Sequence, residues 1–163
     1  MGIFFTLVVG AIVIGSPVAA EPAKPIKTSV CDLSKHPEKF AGKFVELRAE
    51  LILARGTLLL TEPGCTNIPL IEPSEEDVKP KPSFQLVEDE HWKKIDSSLS
   101  VLVPSPTGGI GRIFATIEGR FDWAFQLRRG RRVRVAQGYG HAALFDSRLV
   151  VHRVSTVEVV PPH

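Results

Sequence analysis

Residues 112–122 read Arg-Ile-Phe-Ala-Thr-Ile-Glu-Gly-Arg-Phe-Asp. Ile113, Ala115, Ile117, Gly119 and Phe121 fall on one parity. Arg112, Thr116, Glu118, Arg120 and Asp122 fall on the other, with Phe114 the single exception. A strict period of two over this length is the pattern of a β-strand with one face buried. The same pattern runs through 43–51, where Val45, Leu47, Ala49 and Leu51 alternate with Glu46, Arg48 and Glu50. Arg55-Gly56 then marks a tight turn into a strand at 57–61, and 68–71 forms a short third strand. Residues 131–136 suit another short strand. Residues 149–160 form the last long one, whose mixed apolar phase predicts either a bulge or cover on both faces.

Between the third and fourth strands the period changes. Trp92, Ile95, Leu99 and Leu102 recur at steps of three and four, which predicts an amphipathic helix over 87–103. Glu88, Asp89 and Glu90 lie where the helix dipole favours negative charge, and Pro104 and Pro106 stop the helix. Near the N-terminus, Asp32 is expected to cap a short helix ending at about His36, and Pro37 and Gly42 to frame a turn. The order is three strands, a helix, two strands and an insertion before the final strand. That is the order of a mainly β, five-stranded OB-like Greek-key barrel, with a β-sandwich as the alternative. No strand–helix alternation indicates a doubly wound parallel sheet, and no internal repeat is visible.

The 163 residues are 44% hydrophobic and 23% charged, with a net charge of +2, which suits one globular domain over 28–160 and does not require a polyanionic partner. Residues 3–15 are apolar apart from Thr6, and Pro17 and Val18-Ala19-Ala20 follow. This is the pattern of an export signal peptide over 1–20, cut after Ala20. The apolar run is too short to span a bilayer, so no transmembrane anchor is expected after cleavage. No Lys or Arg precedes it: either the true start lies upstream or the terminal amine is the only positive charge there. Residues 21–27 read as an extended lead-in. Cys31 and Cys65 are the only cysteines, and outside the cytoplasm an even pair most simply means one structural disulfide. Their spacing argues against a redox-active Cys-x-x-Cys site. The expected location is the periplasm or the extracellular medium.

Cys31-Asp32-Leu33, Pro37-Glu38-Lys39-Phe40 and Gly42-Lys43-Phe44-Val45 resemble a group of small exported bacterial proteins of unknown function. In that group a Cys-led short helix and a Gly-Lys-x-Val strand open an OB-like domain. A second Cys follows the second strand, as Cys65 does, and a Gly-x-Gly-His stretch, here Gly138-Tyr139-Gly140-His141, precedes a closing strand beginning Arg148-Leu149-Val150-Val151. The resemblance implies export, a disulfide and a barrel. It implies no activity and carries over no catalytic residue. The arginines at 128–134 are not part of it.

Charge is unevenly spread. Residues 21–100 carry 11 basic and 14 acidic side chains, whereas 101–163 carry 9 basic, all Arg, and 4 acidic. Arg128, Arg129, Arg131, Arg132 and Arg134 crowd into seven positions. Planar guanidinium forks bind phosphate or carboxylate at two points, so the cluster fits an anionic ligand: a phosphate-bearing lipid, an acidic polysaccharide or an acidic protein face. Export disfavours nucleic acid. Trp123, Phe125 and Tyr139 lie close by in sequence, and OB folds pair basic grooves with stacking aromatics. The plainer reading is a solvated turn around Gly130, paired with the acidic loop at 72–77.

The remaining candidates are weaker. Gly138-Tyr139-Gly140-His141 reads as a turn with glycines at positive φ, although His141 could there serve as a base or a metal ligand. The histidines lack zinc-ligand spacing, and Asp146, Ser147 and His141 form only a crude triad without a nucleophile elbow. The loop 72–83 lacks calcium-ligand order, and 108–112 lacks the Lys-Ser/Thr of a phosphate loop. The sequence therefore predicts a non-catalytic extracytoplasmic binding module without cofactor or metal, its contact surface being the five arginines with Tyr139 and His141. A small enzyme using His141 and a structural cell-envelope protein are the alternatives.

Overall fold

The computed structural model describes residues 24–74, 86–103, 109–139 and 141–162. The expected signal peptide at 1–20, most of the acidic loop, the start of the Gly-rich link, Gly140 and the side chain of His141 lie outside the described residues. Eight strands are described: β1 (Ile26–Lys27), β2 (Phe44–Ala54), β3 (Thr57–Thr61), β4 (Ile68–Ile71), β5 (Arg112–Trp123), β6 (Phe125–Arg128), β7 (Arg131–Arg134) and β8 (Ser147–Val160). The helices are α1 (Val30–Lys35), α2 (Pro37–Phe40) and α3 (Glu90–Ser98), the last running into a 3₁₀ turn at Leu99–Leu102.

Five strands close on themselves in the order β2-β3-β4-β8-β5, with β5 returning to β2. Only β4 and β8 run parallel within this ring. Closure depends on the length of β2: its first part pairs with β5, from Phe44 opposite Arg120 to Leu51 opposite Ile113, and its end pairs with β3, Glu50 lying opposite Thr61. This is the predicted OB-like barrel, a single closed sheet rather than two stacked ones. The period-two residues fill it. Val45, Leu51, Ile113, Ala115, Ile117 and Phe121 are fully buried, with Leu60, Leu149, Val151 and Val154. Phe114, the exception in the pattern, faces outward between the guanidiniums of Arg48 and Arg112. Those arginines pair with Glu158 and Glu50.

The mixed phase of β8 has two causes. Leu149, Val150 and Val151 are all fully buried, so the strand is covered on both faces near its start. Its register against β5 slips twice, so that His152 and Ser155 have no opposite residue. Such bulges turn a strand around a barrel corner. The His152 carbonyl, off the ladder, accepts a hydrogen bond from the Val87 amide (2.7 Å) and so anchors the segment entering α3. Next to the first slip lies Gly119, where a Cβ would run into the Val150 carbonyl oxygen.

Three local expectations are corrected. Ser29, not Asp32, caps α1: its hydroxyl accepts from the Asp32 amide (3.0 Å), which puts Asp32 inside the first turn. Residues 37–40 form a helical turn with Pro37 at its start, where a missing N–H costs nothing. The long helix starts at Glu90 because the Asp89 carboxylate caps it, accepting from the amides of His91 and Trp92. Cys31 and Cys65 are disulfide-bonded and tie α1 to the β3–β4 connection. No helix among the described residues is long and apolar enough to cross a membrane.

Candidate functional site

The connection between β5 and β8 is the insertion anticipated from the sequence, and much of it is a second, two-stranded sheet. Ala124, fully buried, is its root. The Ala124 amide donates to the Asp146 carbonyl (2.8 Å), and its own carbonyl accepts from Val135 (2.7 Å) and Ala136 (3.2 Å). β6 and β7 then pair as a hairpin closed by Arg129-Gly130, both at positive φ (49° and 76°). That is the turn whose twist suits a two-residue hairpin. Beyond Phe125 every residue of both strands is exposed.

The hairpin register sorts the arginines. Residues directly opposite share a face. Phe125 lies opposite Arg134 and Leu127 opposite Arg132; the reverse face carries Gln126 with Val133 and Arg128 with Arg131. The first face turns toward the barrel and its arginines are engaged. Arg134 pairs with Asp146 (2.7 Å), donates to the Gln137 carbonyl (3.1 Å) and lies over the Phe125 ring. Arg132 lies over the Trp123 ring, 5.4 Å from its centroid. Arg128, Arg129 and Arg131 form the exposed tip, and their side chains make no hydrogen bond or ion pair with any described residue.

Tyr139 stands apart from the tip. Its backbone bridges to Phe145, and its ring lies under the guanidinium of Arg148 (4.9 Å). All three aromatics near the cluster are thus covered by arginines rather than open for stacking. Arg148 and Arg120 both bind the Asp122 carboxylate, at 2.9 and 2.8 Å. Gly138 takes a positive φ of 119°, as expected of a turn, and a Cβ there would meet the Ala143 and Phe145 carbonyls. The backbone at His141 enters a 3₁₀ turn, His141–Ala143.

At the root of the hairpin a cavity of about 260 Å³ opens. Leu33, Ser34 and Pro37 of the N-terminal helices form one wall, Thr66, Asn67 and Ile68 a second, and Trp123, Arg132 and residues 144–147 the rest. A larger groove of about 470 Å³ lies between α3 and the β2–β3 hairpin, lined largely by apolar side chains including Leu53, Leu58, Trp92 and Leu99. No protein family, curated protein or solved structure matches the chain. Among the described residues no group of three or more His, Cys, Asp or Glu side chains could hold a metal ion. Asp146 is held by Arg134 and Ser147 lines the cavity wall.

Sequence reasoning found the arginines but missed β6, and so missed that they divide between two faces. The signal was present: Phe125 and Leu127 before the Arg129-Gly130 turn, and Val133 and Val135 after it, alternate with polar residues. Ser34 and Asn67 carried no local signal, because only the disulfide and barrel closure bring them to the hairpin.

Proposed function

We propose that the chain is an exported, non-catalytic binding module that holds an anionic partner at the tip of the β6–β7 hairpin. One observation carries this reading. Arg128 and Arg131 occupy the same rung, with Arg129 beside them in the turn, and no described acidic group neutralises them. Like charges directly opposite destabilise a strand pair, so the tip is a cost to the free protein that an external anion would relieve. The arrangement presents three guanidinium forks to phosphate, sulfate or carboxylate groups. Export is part of the same reading, supported by the leader pattern of residues 1–20 and by the disulfide.

The test has two probes: heparin, for acidic polysaccharides, and vesicles with or without phosphatidylglycerol, for anionic lipid. The R128A/R129A/R131A variant should lose binding to whichever probe the native protein holds. A charge-matched control, K43A/R55A/K93A, should keep it. Equal loss in both variants would reduce the effect to net charge, and the reading would fail.

A further inference from the structure

The cavity at the hairpin root is a second site, chemically different from the tip. We infer that it binds a small anion-bearing molecule, a carboxylate or phosphate on a body of about one ring, with Arg132 as the anchor.

The walls are built by distant segments held in fixed relation. Ser34 follows Cys31 by three positions and Asn67 follows Cys65 by two, so the disulfide clamps the two walls to one another. The Ser34 hydroxyl donates to the Cys31 carbonyl (3.1 Å), which orients its oxygen. Opposite them, Trp123 is only 8% exposed and fixed at the end of β5. A pocket whose walls do not need ordering loses little entropy when it is filled.

The lining is chemically mixed and more polar than apolar: Ser34, Asn67 and Ser147 supply neutral donors and acceptors beside Leu33, Ile68, Trp123 and Phe145. Two charged side chains line it. Asp146 is already neutralised by Arg134 at 2.7 Å. Arg132 has no acidic partner among the described residues, only the Trp123 ring beneath it. The uncompensated charge of the cavity is therefore positive. A guanidinium held over an indole by cation–π attraction still has N–H groups available for two-point contact with an oxyanion. The volume, about 260 Å³, lies just below the usual range for drug-sized ligand sites and admits a single ring with its charged group rather than a polymer.

The test uses the full chain, oxidised, followed by amide and indole NMR shifts during titration with glucuronate, with inorganic phosphate and with neutral glucose. Glucuronate is expected to shift Ser34, Asn67, Phe145 and the Trp123 indole N–H at millimolar concentration. Arg132→Ala should weaken it about tenfold, the effect of one charge-assisted hydrogen-bonded pair. Arg132→Lys should recover part of the loss. Thr66→Trp, which fills the mouth from the opposite wall without touching the arginine, should abolish the shifts. The R128A/R129A/R131A variant should bind glucuronate as the native chain does, which separates this site from the tip: loss of tip binding alone leaves the pocket standing, and the converse holds. Shifts confined to 128–131, equal binding of glucose, no shifts with either anion, or indifference to Arg132→Ala would each overturn the inference.

Discussion

Asp122 has one carboxylate and two guanidiniums to satisfy. Arg120 holds it in a two-point contact at 2.8 and 3.0 Å, and Arg148 reaches it at 2.9 Å, with all three side chains largely shielded from water. Asp122→Ala leaves two half-buried cations facing each other and should lower stability by about 2 kcal/mol in a denaturant titration. The Gly119→Ala change adds one methyl group where the Val150 carbonyl and the Leu149 side chain leave no room, and should lower stability by about 2–3 kcal/mol. Asp89 offers a pH test. Burial pushes its carboxyl up, but hydrogen bonds from the Trp92 and His91 amides, with the His91 imidazole 3.6 Å away, outweigh this and hold it below the ordinary carboxylate range. A carboxyl lowered on folding stabilises the protein fully above its unfolded value, about 4, and that stabilisation fades as pH falls through the lower folded value. Asp89→Asn, which retains the cap without the charge, should flatten this part of the stability–pH curve. A curve unchanged in shape between pH 2 and 6, as a range of about that width, would contradict the assignment.

At the level of elements, β2 and β5 were legible because each has one wet and one dry face. Val45, Leu47, Ala49 and Leu51 display that directly. Where a strand departs from it, the physics is not local. The phase of β8 breaks because both faces are covered at 149–151 and because two bulges then let it turn around the barrel, and the pattern announced an irregularity without saying where it fell. β6 alternates as well, Phe125 and Leu127 against Gln126 and Arg128, but it is four residues long and exposed beyond Phe125, so its alternation marks no buried face. The same isolation makes the hairpin dispensable to the fold. Replacing residues 126–133 by Asn-Gly, so that the Phe125–Arg134 rung is kept, removes one contact with the barrel, Arg132 over Trp123, and should lower stability by no more than about 1 kcal/mol. Binding at the tip should vanish. A large fall in stability would show the hairpin to be a structural brace instead.

For the whole molecule, the disulfide joins a barrel that closes by itself to a helix that does not belong to the ring. Val30 and Leu33 bury completely against the core, yet α1 has only six residues, too few to be stable alone. Cross-linking across the 34 positions between Cys31 and Cys65 should contribute about 3–4 kcal/mol by the chain-entropy estimate. Reduction should lower the midpoint correspondingly and loosen the cavity walls first, visible as faster amide exchange at Leu33, Ser34 and Asn67 than in β5. The candidate site has a different standing from the fold. Its arginines could be seen in the sequence as a crowd, but their division into braced and bare groups depends on strand register and on which carboxylates the barrel brings close. The bare group, Arg128, Arg129 and Arg131, is proposed to hold an anionic partner. The most direct measurement is the salt dependence of heparin binding by the native chain and by R128A/R129A/R131A. Binding by the native chain should weaken steeply with salt, and the variant should lose most of that slope. Equal slopes for the two proteins would contradict the proposal.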